Sequence, residues 1–252
     1  GGGINNSGTL TVTNSTISGN TAKYGGGIKN SGIATVSNST LSGNNSSFGG
    51  GIYNRDLGGN LTVINTTLSG NSATNSGGGI FNSGTAAVSN STLSGNTATT
   101  LGGGLYNLGT GTLTNSTLSG NSASIAGGGI RNQSNTLTVI NTTISGNSAT
   151  NSGGGISNYS TLNISNTIIA NSTSGLDYAG GGTPIVTSSN NLITSGTLSG
   201  ATTVSSTALN LGPLQDNGGP TFTMALGAGS VAIGATAGTG TDQRGINRTT
   251  ND

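Results

Sequence analysis

Cysteine and histidine are both absent from this chain of 252 residues. Without cysteine the chain cannot form a disulfide bridge or a zinc–thiolate site. The Ser-His and Cys-His pairs that activate nucleophiles in many hydrolases are excluded as well. The usual routes to covalent catalysis are therefore closed, and we expect no cofactor, no bound metal and no enzymatic activity.

Charge is also scarce. Charged side chains make up 4% of the residues, whereas an ordinary soluble domain has about a quarter. The net charge is +1, and no run of Lys or Arg is present to follow a phosphate backbone. Apolar runs long enough to cross a bilayer, about 20 residues, are missing too. We therefore expect neither a nucleic-acid partner nor a membrane span.

What the chain has in abundance is glycine, 49 residues of it, arranged in a strict repeat. A Gly triplet followed by Ile or Leu recurs at intervals of 24, 24, 28, 25, 25 and 26 residues. The triplets open at Gly1, Gly25, Gly49, Gly77, Gly102, Gly127 and Gly153. Self-similarity at a period of about 20–50 residues is the signature of a solenoid, a propeller or an array.

Within each repeat, apolar residues alternate with polar ones. In the fourth repeat Ala86 and Val88 precede Asn90 by four and two residues. Leu93 follows that Asn by three residues. Similar spacing in the other repeats predicts strands with one buried face. We expect three short strands and about four inward apolar side chains per coil, with Val88 inward and Ser91 outward.

A repeat of about 25 residues is too short for a propeller blade, which needs four antiparallel strands and usually about 40 residues. It is also too poor in helix formers for a leucine-rich repeat. Residues 1–174 are therefore predicted to form a right-handed parallel β-helix of about seven coils. Residues 175–252 leave the repeat, and we expect an irregular segment that closes, or docks onto, the C-terminal end of the helix.

Asparagine recurs at three positions of every coil. Asn tolerates the left-handed conformation of a turn, and amides stacked at the strand spacing can hydrogen-bond to one another as a ladder. The first column starts at Asn6 and ends at Asn158. The second and third columns, which we interpret as structural ladders, comprise Asn14, Asn38, Asn65, Asn90, Asn115, Asn141, Asn20, Asn44, Asn71, Asn96, Asn121 and Asn147. Because we expect the second column to turn inward, we interpret the glycosylation sequons that begin with it as accidents of the repeat.

The residue that follows the Ile or Leu after each triplet should point outward. Along the array this position holds Lys29, Tyr53, Phe81, Tyr106 and Arg131. Three successive aromatic rings between two cations can form an exposed face that stacks on sugar rings or on another protein. They can equally form a ladder that only stabilises neighbouring coils.

Acidic residues are few. Only Asp56 lies in the array, beside Arg55 in the longest coil, and we interpret this pair as a loop insertion. Glycoside hydrolysis needs two carboxylates, so a polysaccharide lyase or hydrolase is the least favoured function. Asp216 and Asp242 could share a calcium ion with backbone carbonyls, which is the one metal alternative that the sequence leaves open.

The first repeat begins directly at Gly1, without a preceding cap, so we expect a processed or trimmed product. A parallel edge with few charges is a template for another chain, and repeat arrays need caps at their ends. The edge consists of Gly1, Ile4, Leu10 and Val12. We expect it to stack head to tail on another copy, with residues 211–248 at or beside the joint. A contact of this kind does not close and generates a fibre.

These motifs resemble a known family. The pattern GGGI…N followed by S-T-L/I-S-G-N in residues 1–174 resembles the GGAI/FxxN-type repeats of polymorphic outer-membrane and autotransporter-like proteins. The resemblance implies a secreted right-handed β-helix of the pectate-lyase-like superfamily, displayed at the cell surface in a structural or adhesive role. The segment from Leu211 to Gly245 is similar to the C-terminal part of bacterial choice-of-anchor surface proteins.

Three functions are thus weighed. The leading hypothesis is a non-enzymatic extracellular β-solenoid that assembles with itself into fibres. The alternative is a surface adhesin or carbohydrate-binding module that uses the face of Tyr53, Phe81 and Tyr106 to contact glycans or other surface proteins. A polysaccharide-cleaving enzyme comes third. All three place the chain outside the cell or at its surface.

Overall fold

The computed structural model describes residues 1–55, 58–181, 185–235 and 240–248. The repeats wind into a right-handed parallel β-helix, and nearly all regular structure is strand. This confirms the fold expected from the sequence. Strands of the same kind in successive coils pair in parallel and in register, as Ile52 with Ile80 and Val63 with Val88.

The strands follow the repeat along the chain. The first three coils contain β1 (Ile4–Asn6), β2 (Thr9–Thr13), β3 (Thr16–Ser18), β4 (Thr21–Tyr24), β5 (Ile28–Asn30), β6 (Ile33–Ser37), β7 (Thr40–Ser42), β8 (Asn45–Phe48), β9 (Ile52–Asn54), β10 (Asn60–Ile64), β11 (Thr67–Ser69) and β12 (Ser72–Ser76). The next three contain β13 (Ile80–Asn82), β14 (Thr85–Ser89), β15 (Thr92–Ser94), β16 (Thr97–Ala98), β17 (Leu105–Asn107), β18 (Thr110–Thr114), β19 (Thr117–Ser119), β20 (Ser122–Ala123), β21 (Ile130–Asn132), β22 (Thr136–Ile140), β23 (Thr143–Ser145) and β24 (Ser148–Ala149). The chain from the last repeat onward contains β25 (Ile156–Asn158), β26 (Thr161–Ser165), β27 (Ile168–Ala170), β28 (Tyr178–Gly180), β29 (Val186–Ser189), β30 (Asn191–Ile193), β31 (Ala201–Thr203), helix α1 (Ser206–Leu209), β32 (Leu211–Gln215) and β33 (Thr223–Leu226).

Equivalent strands of successive coils form long sheets, which we name A to D. Sheet A follows the Gly triplets and runs from β1 to β28, and sheet B runs from β2 to β29. Sheet C, from β3 to β31, follows the second-column Asn, and sheet D, from β4 to β24, precedes the next triplet. The expectation of three strands per coil is therefore wrong for the first six coils. The strands of sheet D were not predicted from the sequence. Their inward residues are small, such as Ala73 and Ala98, so the alternation of apolar and polar residues is weak there.

The core consists of apolar ladders that run through the stack. In the third coil the large inward side chains are Ile52, Leu61, Val63 and Leu68, all 0% exposed. These are the Ile after the triplet, two alternating residues of sheet B and one residue of sheet C, as the period of two predicts. Each buried aliphatic side chain contributes roughly 1.5–3 kcal/mol, and the parallel backbone hydrogen bonds between coils add to this.

Ser91 is buried at the corner between sheets B and C, so the outward position expected for it is wrong. Its hydroxyl donates to the carbonyl of Ser89 at 2.7 Å and accepts the N–H of Thr66, in the preceding coil, at 3.1 Å. The preceding residue, Asn90, has a left-handed backbone with φ 49°. A corner of this kind resets which side chains face inward, so the alternation of a strand cannot be extended across it.

The coil architecture continues beyond the sequence repeat, which ends near residue 174. Strands β28, β29 and β30 extend sheets A, B and C, and β31 extends sheet C once more. Between β30 and β31 the chain makes a shortened turn in which Gly196 pairs with Tyr178. Leu198 of this turn is buried in the core cluster. The C-terminal end of the core is therefore covered by this turn.

The segment that follows, residues 205–235 and 240–248, is called the tail below. It contains α1 and the antiparallel pair β32–β33. Thr92 donates to the carbonyl of Phe222 at 2.6 Å, and Thr117 donates to Oε1 of Gln243 at 2.7 Å. The tail thus docks on the outer face of sheet C at the fourth and fifth coils. Of residues 175–252, which were expected at the C-terminal end of the helix, the turn around Leu198 lies there and the tail does not. The threonine column of sheet C supplies the hydroxyls that hold it.

Candidate binding surfaces

Each Gly triplet from the second repeat onward forms a tight corner between sheets D and A. The first Gly has a left-handed backbone, as Gly77 with φ 71°, and a Cβ there would lie 2.7 Å from the carbonyl oxygen of Ile80. Glycine is required because any side chain at this position would collide with the backbone. The turn is so close that side chains from sheets D and A, on its two sides, meet.

Five aromatic rings fill this corner over the first five coils. Tyr24 and Phe48 belong to sheet D, and the other rings, Tyr53, Phe81 and Tyr106, belong to sheet A. Neighbouring ring centroids lie between 5.0 and 5.8 Å apart. Each pair at such a distance contributes about 0.5–1.5 kcal/mol beyond its buried area. Sequence reasoning missed Tyr24 and Phe48 because it did not recognise their sheet.

Only the N-terminal part of this ring cluster is open to solvent. Phe81 is 7% exposed, Tyr106 9% and Arg131 7%, whereas Lys29 and Tyr53 are half-buried. The expectation of an exposed binding face is therefore wrong for Phe81, Tyr106 and Arg131. These side chains point away from the core, but they lie in the corner, where sheet D and the neighbouring coils cover them.

The accessible remainder, called the aromatic patch below, consists of Lys23, Tyr24, Lys29, Phe48 and Tyr53. The ammonium group of Lys23 lies 5.5 Å from the centroid of the Tyr24 ring. Lys29 is the register partner of Tyr53 on the neighbouring strand. Flat rings with cations beside them can stack on the apolar face of a sugar and donate hydrogen bonds to its oxygens.

Arg131 ends the aromatic column and is fixed by its neighbours. Its Nη1 donates to the hydroxyl of Ser157 at 2.8 Å, and its Nε donates to Oε1 of Gln133 at 3.0 Å. The guanidinium also lies 3.8 Å from the centroid of the Tyr159 ring. Burial raises the pKa of the Tyr106 hydroxyl, and Arg131 offsets part of that rise. These contacts make Arg131 a structural cation of the corner.

Two of the three asparagine columns form hydrogen-bonded ladders. In the third column Nδ2 of Asn96 donates to Oδ1 of Asn121 at 2.9 Å, and in the first column Nδ2 of Asn82 donates to Oδ1 of Asn107 at 2.8 Å. The third-column residues predicted as a ladder are Asn20, Asn44, Asn71, Asn96, Asn121 and Asn147, and all but Asn20 are buried. Their amides are used by the fold.

The second asparagine column is not an inward ladder. Its residues Asn14, Asn38, Asn65, Asn90, Asn115 and Asn141 all have φ between 46° and 52°. The side chains lie at the outer corner between sheets B and C, where Asn65 donates to Asn38 at 3.1 Å in an exposed pair. The tail reaches this corner at Asn90 and Asn115. The column serves the turn, and its side chains are on the outside.

The acidic residues of the tail are engaged within it. Oδ2 of Asp242 accepts from Nη2 of Arg244 at 2.6 Å, and its Oδ1 accepts two backbone N–H groups. Asp216 accepts a backbone N–H of its own turn at 2.9 Å. Within the described ranges, no group of three or more His, Cys, Asp or Glu side chains could hold a metal ion. The other candidate, Asp56, lies outside the described residues.

The proposed assembly edge lies in the first coil. Ile4 and Leu10 are half-buried and pack against the core, Val12 is 7% exposed, and Gly1 is exposed. The first coil pairs with the second in the register used throughout the array. Its joint with another copy stays a prediction.

Three segments of the array, residues 65–83, 90–108 and 141–159, match the family model of the Chlamydia polymorphic membrane protein repeat. Each runs from a second-column Asn across a Gly triplet and ends one residue after the next first-column Asn. No curated protein and no solved structure matches the chain. In the part of the chain that the structure describes, no helix is long and apolar enough to cross a bilayer. The repeat match and the β-solenoid fit polymorphic-membrane or autotransporter-like repeat proteins and suggest a surface location.

Proposed function

We propose that this chain is a non-enzymatic β-solenoid displayed at a cell surface, where it acts as a rigid adhesin that binds glycans. The observation that carries the proposal is the aromatic patch, in which the fold gathers three half-buried rings and two lysines at one corner. The match to polymorphic membrane protein repeats supports surface display. The absence of His and Cys from the whole sequence favours a role without catalysis.

The geometry of the patch suits sugar rings. Tyr24 and Phe48 stack with their centroids 5.8 Å apart and their planes 16° from parallel. The stack is half-buried, and the ammonium group of Lys23 lies 5.5 Å from the centroid of the Tyr24 ring. A pyranose has an apolar face that can pack against the accessible part of such a stack, while its ring oxygens and hydroxyls accept hydrogen bonds from ammonium groups.

A glycan array followed by titration of the best-bound glycan tests this proposal. The double variant Tyr24→Ser with Phe48→Ser should lower the affinity about tenfold or more, because two stacking surfaces are lost. Tyr159→Ser removes an aromatic ring that is 42% exposed elsewhere on the array and serves as the matched control. Unchanged binding by the double variant, or no binding by the parent protein, would reject the glycan role.

The non-enzymatic part of the proposal is tested with pectin and alginate, with and without Ca²⁺. We expect no release of unsaturated or reducing sugar ends, because the array carries a single acidic residue, Asp56. Cleavage that disappears in the Asp56→Asn variant would overturn it.

Self-assembly into a fibre is the second candidate. It is supported by the register, which repeats unchanged from coil to coil in sheets A, B and C, so that a second copy can continue the stack. Leu198 works against it, because its turn covers the C-terminal end of the core and would have to move. Sedimentation velocity tests the idea with Thr11→Lys plus Thr13→Lys, which adds two charges to exposed positions of β2. The parent should form large species and the variant should not; a monomeric parent at high concentration rejects the fibre.

A further inference from the structure

The docked tail encloses a cavity against sheet C that none of the surfaces above uses. Its volume is about 380 Å³, which is within the range of small-molecule sites. The solenoid side presents amides and hydroxyls, among them Asn141, Thr143 and Asn166. The tail side presents aliphatic surface from Met224 and Leu226. A ligand in this cavity would meet a polar wall on one side and an apolar wall on the other.

Two guanidinium groups also line the cavity, and they differ in their partners. Arg244 is paired with Asp242, whose Oδ2 accepts from Nε at 2.7 Å and from Nη2 at 2.6 Å. The Nε of Arg248 is buried and has no hydrogen-bond partner in the described ranges. A guanidinium stays charged at physiological pH, and a buried donor without a partner costs free energy. The cavity therefore holds one cationic group that an anion would complete.

We propose that this cavity binds a small acidic sugar, whose carboxylate is held by Arg248. A carboxylate can accept two parallel hydrogen bonds from one guanidinium, which makes this pairing strong and directional. Nδ2 of Asn166 is already used, since it donates to Oδ1 of Asn141 at 3.2 Å. This leaves Nδ2 of Asn141 and the hydroxyl of Thr143 to face the sugar hydroxyls, while Met224 covers the apolar face of the ring.

This site is independent of the aromatic patch. The cavity lies between sheet C and the tail, whereas the patch lies at the corner of sheets D and A in the first three coils. The two proposals can therefore be rejected separately, because the two sites share no residue. Loss of glycan binding at the patch would not contradict the acidic-sugar site, and an empty cavity would not contradict glycan binding at the patch.

Calorimetric titration of the full chain with D-galacturonate tests the proposal, with D-galactose as a matched neutral probe. The two sugars differ in a carboxylate against a hydroxymethyl group. Loss of a charge-assisted hydrogen bond should weaken galactose binding about tenfold or more. Equal affinity for the two sugars would overturn the assignment of the carboxylate to Arg248.

Variants locate the site. Arg248→Gln should lower galacturonate affinity about tenfold or more. Arg55→Gln, which removes a guanidinium from an exposed position of the array outside both proposed sites, should leave it unchanged. Asn141→Ala, on the rigid solenoid wall, should weaken binding about threefold to tenfold through the loss of one hydrogen bond to the sugar. Because Arg248→Gln could also disturb the tail, tail docking is monitored by limited proteolysis of the same samples.

Inorganic phosphate serves as the last probe. It should compete with galacturonate only weakly, because it cannot use the amide and apolar walls. Full displacement by phosphate, together with unchanged galacturonate affinity in Asn141→Ala, would reduce the cavity to a simple anion site and overturn the sugar assignment. Unchanged galacturonate binding in Arg248→Gln, with the tail still docked, would overturn the proposal as a whole.

Discussion

Asn96 donates two hydrogen bonds to the same atom of Asn121: its Nδ2 lies 2.9 Å from Oδ1, and its backbone N–H lies 3.0 Å from it. The Nδ2 group also donates to the carbonyl of Leu68 at 3.0 Å. Both asparagines are 0% exposed. The ladder therefore satisfies the polar backbone of the corner as well as its own amides, which is what allows a tight turn to be buried.

Removal of one rung should be costly. Asn96→Ala leaves the carbonyl of Leu68 and the Oδ1 of Asn121 short of donors in a buried site. At about 1–3 kcal/mol for each buried group left unsatisfied, the loss in the free energy of unfolding should be roughly 2–6 kcal/mol, measured by urea unfolding. Thr97→Ala, at the next and exposed position, is the control and should change stability by less than about 0.5 kcal/mol. A similar small change in both variants would contradict the structural role of the ladder.

The outer corner should respond differently to substitution. Asn38 has φ 48° and an exposed side chain, so its conformation matters more than its contacts. Asn38→Ala should cost roughly 1 kcal/mol, because an alanine is strained in the left-handed region. Asn38→Gly should be close to neutral, because glycine adopts that region freely. Thermal unfolding of the two variants distinguishes these effects. If Asn38→Gly lowered the melting temperature more than Asn38→Ala, the contacts of the Asn38 side chain would matter more than its backbone conformation.

The burial of Ser91 changes the expected outcome of a charge scan along β14 and the corner that follows it. Val88→Asp and Ser91→Asp should both collapse the array, since each buries an unpaired carboxylate. Ala87→Asp, at an exposed position of β14, should be tolerated. Circular dichroism and the midpoint of unfolding give the comparison. A tolerated Ser91→Asp would show that this corner opens more readily than its hydrogen bonds imply.

Val88 and Ser91 differ in whether the orientation of their side chains could be predicted from the sequence. The Gly triplets, the Ile ladders and the alternation through Val88 repeat with one period, so the solenoid and its core follow from them directly. The side chain of Ser91 lies beyond a left-handed corner, and local alternation has no information on where the chain points after such a turn. The same limit applies to the second-column asparagines, which were expected to turn inward and instead lie at the outer corner.

The binding surfaces were less accessible to prediction. Tyr53, Phe81 and Tyr106 were correctly placed on one column, but their exposure depends on sheet D, whose small residues carry no clear pattern. The cavity depends on the tail, which has no repeat to fix its position. Gln243 meets Thr117 across 126 residues of chain, and no periodicity connects the two.

Alkaline pH should weaken the fold through two buried tyrosines. Burial raises the pKa of Tyr106, with Arg131 offsetting part of the rise, and burial also raises the pKa of Tyr178, partly offset by Asn158. The folded chain thus holds these protons more tightly than the unfolded chain, whose tyrosines titrate near pH 10. The stabilisation is complete below about pH 10 and is lost as the pH rises through the raised values. The double variant Tyr106→Phe with Tyr178→Phe should show a smaller fall in melting temperature between pH 9 and 11 than the parent, and an equal fall would contradict the assignment.

The side-chain amide of Gln243 contributes several of the hydrogen bonds that hold the tail on the solenoid. Oε1 of Gln243 accepts from Thr117 at 2.7 Å, and its Nε2 donates to the hydroxyl of Thr92 at 2.9 Å and to the carbonyl of Phe222 at 3.2 Å. The side chain is only 8% exposed, so water cannot easily replace these hydrogen bonds.

Gln243→Ala should release the tail while the solenoid stays folded, because the sheets do not depend on this residue for their hydrogen bonds. Limited proteolysis should then cut the tail about ten times faster or more, with unchanged far-ultraviolet circular dichroism. Gln215→Ala removes the same kind of side chain from an exposed position of β32 and should leave the cleavage rate as it is. Equal protection in Gln243→Ala and the parent would mean that the apolar contacts of the tail hold it without the amide.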